Sequence, residues 1–246
     1  MCTDPDDLLA MIIFNWDETS TNGKNSLAPL KFTVSLLNQK ARNKDSAWRT
    51  LAFTTDISAQ ESEPEKKKQG TEMKSRRFHA IMKAGIKSYV AAQTDPDLLS
   101  GVEMCLGNVR KVVKRIRIPM CLMAGDLQGG DKQCCSSASY KDTMPRMCFR
   151  CNVPGWEASN LKFECRRISM TRVMNMVAEG DRDKLAKFNQ YCVDCAWFDV
   201  DFGGDKYGIF SAAMPVEALH ALENGVFKHV IQTWPAFHGH PRLPCL

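Results

Sequence analysis

No apolar run in this 246-residue chain approaches the roughly 18 residues that a membrane-spanning helix requires. The longest candidate, LLAMIIFNW, is stopped by Asp17 and has the length of a buried strand. The first residues, MCTDPDD, are acidic where a secretory signal is basic, so the chain is expected to be soluble and intracellular. Internal repeats are also missing. Charge imbalance is small: a formal net charge of +5 permits a polyanionic partner without demanding one. A hydrophobic share of 44% with 25% charged residues excludes wholesale disorder. What the sequence does have is cysteine. Eleven of them, an odd number with two CxxC pairs, fit free thiols and a metal site better than a disulfide framework.

Three strands are expected in residues 8–56. LLAMIIFNW is continuously apolar, as a strand covered on both faces would be. LKFTVSLLN and AWRTLAFTT follow after short polar breaks, which makes an antiparallel meander. Residues 57–71 hold no large apolar residue after Ile57 and read as a solvated loop. From Met73 to Gln93 the residues Phe78, Ile81, Met82, Ile86, Tyr89 and Val90 recur at helical spacing. Then come the β-rich pieces VEMCLG, VRKVVKRIRI and MCLMAG, the last ending at Asp126. Residues 128–160 are rich in Gly, Ser and Cys, so the segment is expected to be organised by something other than a core. One helical stretch is expected over 169–191, and a further helix from Pro215.

Strand–strand–strand–helix–strand, with an aspartate ending the first and the fourth sheet strand, is the order of an RNase H-like α/β fold. In that fold the first and fourth strands are neighbours, which would bring Asp17 and Asp126 to one end of the sheet. Carboxylates fixed there can ligate magnesium or manganese, and two such ions activate the nucleophile and stabilise the leaving oxygen in phosphodiester cleavage. Each aspartate also has a plain reading as a turn former. Asp131 is a further acidic candidate, and Glu217, His220 and Glu223 share faces of the expected last helix.

The pairs CFRC (Cys148, Cys151) and CVDC (Cys192, Cys195) have the spacing of zinc knuckles and together would complete a four-thiolate zinc site. Cys134, Cys135 and Cys165 compete as ligands. Along RKVVKRIR, the residues Lys111, Lys114 and Arg115 are candidate phosphate contacts. Lys66–Lys68 with Lys74, Arg76 and Arg77 has the form of a nuclear localisation patch, although charge runs are commonly solvated faces.

In order, WDET, AGDLQGGDKQCC, MCFRCNVPG and VEALHALENGVFKHVI resemble the DDE transposases of the Plavaka/KDZ and CACTA-like group, over about Leu8 to Trp234. The resemblance implies an RNase H-like core (8–133), a Cys-rich zinc-binding insertion (134–200) and a helical part of the core (201–246). It implies Asp17 and Asp126 as catalytic metal ligands and Glu217 with His220 as the acidic-x-x-His signature. It assigns Cys148 and Cys151 to the insertion. The implied activity is metal-dependent cleavage and strand transfer at transposon ends, in the nucleus, on DNA as partner, with a homo-oligomer as a further expectation. The family's last glutamate, expected downstream of that signature, and its N-terminal DNA-binding module are not found, so the sequence is expected to be a fragment or a decayed copy. A catalytically inactive DNA-binding protein and a zinc-stabilised interaction domain are the alternatives.

Overall fold

The computed structural model describes residues 7–16, 19–21, 25–55, 64–106, 110–125, 127–137, 146, 148–157, 159–160 and 162–214. The architecture is mixed α/β with two mixed sheets. No helix among these residues is long and apolar enough to cross a membrane.

The larger sheet is built on β2 (Ile12–Trp16), whose alternate residues Ile12, Phe14 and Trp16 are buried. β2 pairs antiparallel with β4 (Asn25–Val34), and β4 pairs antiparallel with β5 (Arg49–Thr55). A short β3 (Thr19–Thr21) continues the line of β2: Trp16 faces Leu30, and Thr19 faces Leu27, three residues further along each chain. On its other side β2 pairs parallel with β8 (Met120–Ala124), which pairs parallel with β9 (Ala213–Met214). Across the sheet the order is therefore β5, β4, β2, β8, β9.

The expected single strand over LLAMIIFNW is in fact two. β1 (Asp7–Leu9) pairs parallel with β7 (Arg110–Arg117), and β7 pairs antiparallel with β6 (Val102–Leu106) in a separate three-stranded sheet. The two parallel chains, β1 to β2 and β7 to β8, cross from one sheet to the other side by side. Ala10 N donates to Arg117 O and Ile12 N to Pro119 O (2.8 and 2.9 Å). Pro119 has no N–H to offer a ladder, and the break between the sheets falls there. The local pattern of apolar residues carried no sign of this change of partner.

One long helix, α2 (Pro64–Gln93), covers the face of the large sheet that holds Phe14 and Trp16. It starts well before the expected Met73 and takes up much of the stretch read as a loop. The early residues PEKKKQ give it nothing large to bury. Lys, Glu and Gln are nonetheless strong helix formers, and proline suits a first helical position. His79, Met82 and Ile86, at helical spacing, are fully buried. Gly85 lets the helix approach β5: a Cβ there would lie 2.7 Å from Ala52 Cβ. Phe78 meets Trp16 edge-on (centroids 5.3 Å), as Tyr89 meets Phe14 (5.1 Å). The Tyr89 hydroxyl and the Gln93 amide both donate to Ile118 O, which fixes the helix end against the β7–β8 crossover.

The smaller helices punctuate connections: α1 (Gln39–Arg42), α3 (Pro96–Ser100), α4 (Leu127–Gln133) and α7 (Ile209–Ala212). In place of one helix over 169–191 there are two, α5 (Met170–Ala178) and α6 (Arg182–Lys187). They break at Gly180 (φ 68°), where the chain turns left-handed, and the Asp181 carboxylate caps α6 by accepting from Lys184 N. Buried residues of 134–200, among them Phe149, Ile168, Val173, Leu185 and Trp197, share one apolar cluster with Phe14, Met82 and Ile86.

Candidate metal centre

Three segments remote in sequence meet above the buried face of the large sheet: the middle of α2, the turn after α4, and residues 190–197. At their junction lie His79, Cys135 and Cys195, all buried, with their ligand atoms within 4.8 Å of one another. An N,S,S set this close can hold one metal ion. It is the group of this kind found among the described residues.

Each member is held by backbone. The Ala196 amide donates to His79 Nδ1 (3.2 Å), which leaves the ring proton of a neutral imidazole on Nε2. Nε2 then faces Lys132 O and Cys135 Sγ, both at 2.9 Å. Cys195 Sγ donates to Gln133 O (3.5 Å), and Trp197 Nε1 to Gln133 Oε1 (2.8 Å). Trp197, fully buried, packs on Phe14 (5.6 Å), so the last segment is anchored on the sheet. Tyr191 N donates to Cys135 O and Ser137 N to Asn189 O, which lay residues 189–191 along the turn after α4.

Cys135 itself has φ 53°. A non-glycine residue in the left-handed region costs roughly 1–2 kcal/mol, and the position just past a helix end usually goes to glycine. A cysteine held there aims its sulfur at His79.

The two sulfurs differ in character. Burial opposes ionisation of Cys195, but the hydrogen bond with Cys135 and the neighbouring His79 outweigh it and hold this thiol at about 5. Burial pushes Cys135 well up, and the hydrogen bond with Cys195 adds to it. For a metal to bind at Nε2, the proton there must leave and the hydrogen bond must open. Tetrahedral zinc with Zn–N of about 2.0 Å and Zn–S of about 2.3 Å sets nitrogen and sulfur roughly 3.5 Å apart.

A second group of sulfurs lies in the CFRC turn. The Arg150 amide donates to Cys148 Sγ (3.3 Å), and Val153 N hydrogen-bonds Cys151. Hydrogen bonding with Cys151 leads the effects that lower Cys148 to about 6, while the same contact pushes Cys151 up. Cys165 reaches Cys151 from the returning chain, where Cys151 bridges Arg167 and Asn152 N donates to Arg166 O (3.1 Å).

The other expected site residues are placed as follows. Asp17, Asp126, Glu217, His220 and Glu223 lie outside the described residues. The converging set takes Cys195 from CVDC, with His79 and Cys135 beside it, and includes neither Cys192 nor the CFRC pair. Asp131 is buried in α4 instead of lying in an open glycine loop, and a Cβ on neighbouring Gly130 would touch the Phe149 ring at 2.8 Å. Lys111, Lys114 and Arg115 are on β7; Arg115 Nε pairs with Asp7 Oδ1 at 2.8 Å. Of the basic patch on α2, Arg76 pairs with Glu72, which also binds Arg182 of α6.

His79 was the residue that motif spacing missed. Its signal was present: it lies three residues before Met82 and seven before Ile86, inside the apolar stripe of an amphipathic helix. No protein-family model matches the chain, and no curated protein matches it either.

Proposed function

We propose that the chain is a transposase-derived nuclease core of the RNase H-like type, cutting DNA with two magnesium or manganese ions. One observation supports this above others: the strand order β5, β4, β2, β8, β9, in which β2, β8 and β9 run parallel and β4 runs against them. The two strands that precede Asp17 and Asp126 are parallel neighbours with level ends. Asn15 is paired with Ala124, and a Cβ on Gly125 would lie 3.0 Å from Trp16 O. Asp17 and Asp126 are the next residues of those two chains. With Cα atoms about 3.8 Å apart along a chain, this favours two carboxylates at one sheet end sharing hard cations. In such a site one ion lowers the pKa of the attacking water and the other stabilises the departing oxygen.

His79, Cys135 and Cys195 have a different role in this reading. Their soft, buried donor set fits zinc and not magnesium, and zinc there staples α2 to the segments that follow β8. Lys111, Lys114 and Arg115 on β7 are the candidate phosphate contacts, and contact by Arg115 requires release from Asp7. Nuclear action on DNA, with transposon ends as substrate, follows from the resemblance of motifs.

Incubating the reduced full chain with supercoiled plasmid and magnesium or manganese tests the reading. Nicking is expected, with Asp17→Asn and Asp126→Asn each lowering its rate roughly a hundredfold or more, as loss of several kcal/mol of metal-mediated stabilisation requires. Nicking unaffected by either change overturns the assignment of these aspartates. Salt-sensitive DNA binding without nicking favours an inactive, transposon-derived binding protein.

A further inference from the structure

We propose that the hairpin closed by Cys151 and Arg167 is an arm for single-stranded DNA, with a base stacked on Trp156 and phosphates held by Lys162 and Arg166. The choice of DNA as partner rests on the reading of a DNA-cutting core. The surface itself contains neither Asp17 nor Asp126, so it can bind where nothing is cut.

Backbone pairing builds the arm. Cys151 and Arg167 form an antiparallel bridge, flanked by Ile168 N donating to Arg150 O and Asn152 N to Arg166 O (both 3.1 Å). Arg166 N also donates to Asn152 Oδ1 (2.7 Å). Buried Phe149 and Ile168 root this stem in the core. Beyond it the tip closes on itself: Glu157 N donates to Pro154 O, Asn160 N to Glu157 O and Phe163 N to Asn160 O (3.1, 2.9 and 3.0 Å). Lys162 N donates to Asn160 Oδ1 (3.0 Å). A tip tied this closely loses little further backbone freedom when a ligand settles on it.

Trp156 sits in the short turn Gly155–Glu157 at that tip and is 61% exposed, more than any other large apolar side chain described. Among the described residues its indole has no ring contact and no hydrogen bond. Such a ring offers a flat π surface, and every nucleobase has a π face to lay on it once it is unpaired. Charge supplies the second observation. Residues 146–172 hold six basic and two acidic side chains, so this stretch carries four of the chain's five net positive charges. Lys162, Arg166, Arg167 and Arg172 are exposed, and none is in an ion pair among the described residues. Arg167 and Arg172 lie over the rings of Tyr207 and Phe188 (5.3 and 4.8 Å), which positions their charge without cancelling it. On β7, by contrast, Arg115 and Arg117 both close on Asp7.

Fluorescence anisotropy of a labelled oligothymidylate of about 15 nucleotides, with the reduced full chain, zinc and no magnesium or manganese, tests this over a range of salt. Trp156→Ala is expected to weaken binding roughly tenfold with the salt dependence unchanged, and Trp156→Phe to restore most of it. Lys162→Ala and Arg166→Ala should each lower the log–log salt slope by roughly 0.7. A duplex of equal length should not respond to Trp156→Ala. Oligonucleotide affinity unchanged in Trp156→Ala overturns the proposal, as does an equal loss on the duplex, tighter binding of oligouridylate than of its DNA counterpart, or no binding by the parent chain. If Trp156→Ala does not fold, photo-crosslinking of the parent chain to a bromouracil-substituted strand decides: a crosslink at Trp156 supports the arm, and crosslinks only elsewhere overturn it. Plasmid nicking by a chain that ignores Trp156→Ala removes the arm and leaves the nuclease reading standing. Binding through Trp156 without nicking does the reverse.

Discussion

Removal of His79 would strand the Ala196 amide and take one contact each from Lys132 O, which still accepts from Cys135 N (3.2 Å), and from the Cys135 sulfur, which keeps Cys195. An unsatisfied buried donor costs about 1–3 kcal/mol, and the cavity left by a truncated ring adds to that. His79→Ala is therefore expected to destabilise the fold by roughly 3 kcal/mol even without metal. Urea unfolding with zinc and with a chelator checks this. The loss should be larger with zinc, because ligand bound only to the native state adds to stability; equal losses would mean that no ion sits at the centre. Cys135 shows the same logic from the backbone side. Its left-handed φ is a cost that glycine would avoid, so the thiol is kept for what its sulfur contacts.

Along α2, what matters is the distance to the sheet. Gly85 is where helix and β5 come closest, and the partner atom is the Cβ of Ala52, which cannot swing aside. Gly85→Val is expected to push the helix off the sheet and cost roughly 1–3 kcal/mol despite its helix interior favouring a side chain. Circular dichroism should show helix content kept while the urea midpoint falls; an unchanged midpoint would count against this packing. The apolar stripe of α2 was legible because its period is local. The start at Pro64 was not, because a charged stretch reads alike as loop or as solvated helix. The division of LLAMIIFNW between two sheets was equally hidden, since it depends on Pro119, over a hundred residues away.

At the scale of the whole molecule, Tyr89 and Tyr191 are half-buried phenols packed against the core. Burial leads the effects that raise Tyr89 above its ordinary range near 10, and Tyr191 is raised for the same reason. An unfolded chain releases these protons near pH 10 while the folded chain retains them, so stability is kept below that pH and falls as pH rises above it. Ultraviolet titration should show Tyr89 and Tyr191 ionising only as the fold is lost; their ionising near pH 10 with structure intact would contradict the burial. At this scale the order of strands around the Asp17 segment was readable from alternation and turns. The candidate metal centre was not, because its members come from three stretches and only one lies in a recognisable motif.

The His79–Ala196 contact spans 117 residues of chain. On a ribosome that adds about 5–20 residues per second, α2 and its three strands emerge many seconds before the segment that seals them. Until then the buried imidazole and the apolar stripe beside it stand open to water and to other nascent chains. The interval between the two is a window in which that stripe can meet foreign apolar surface before its own cover arrives.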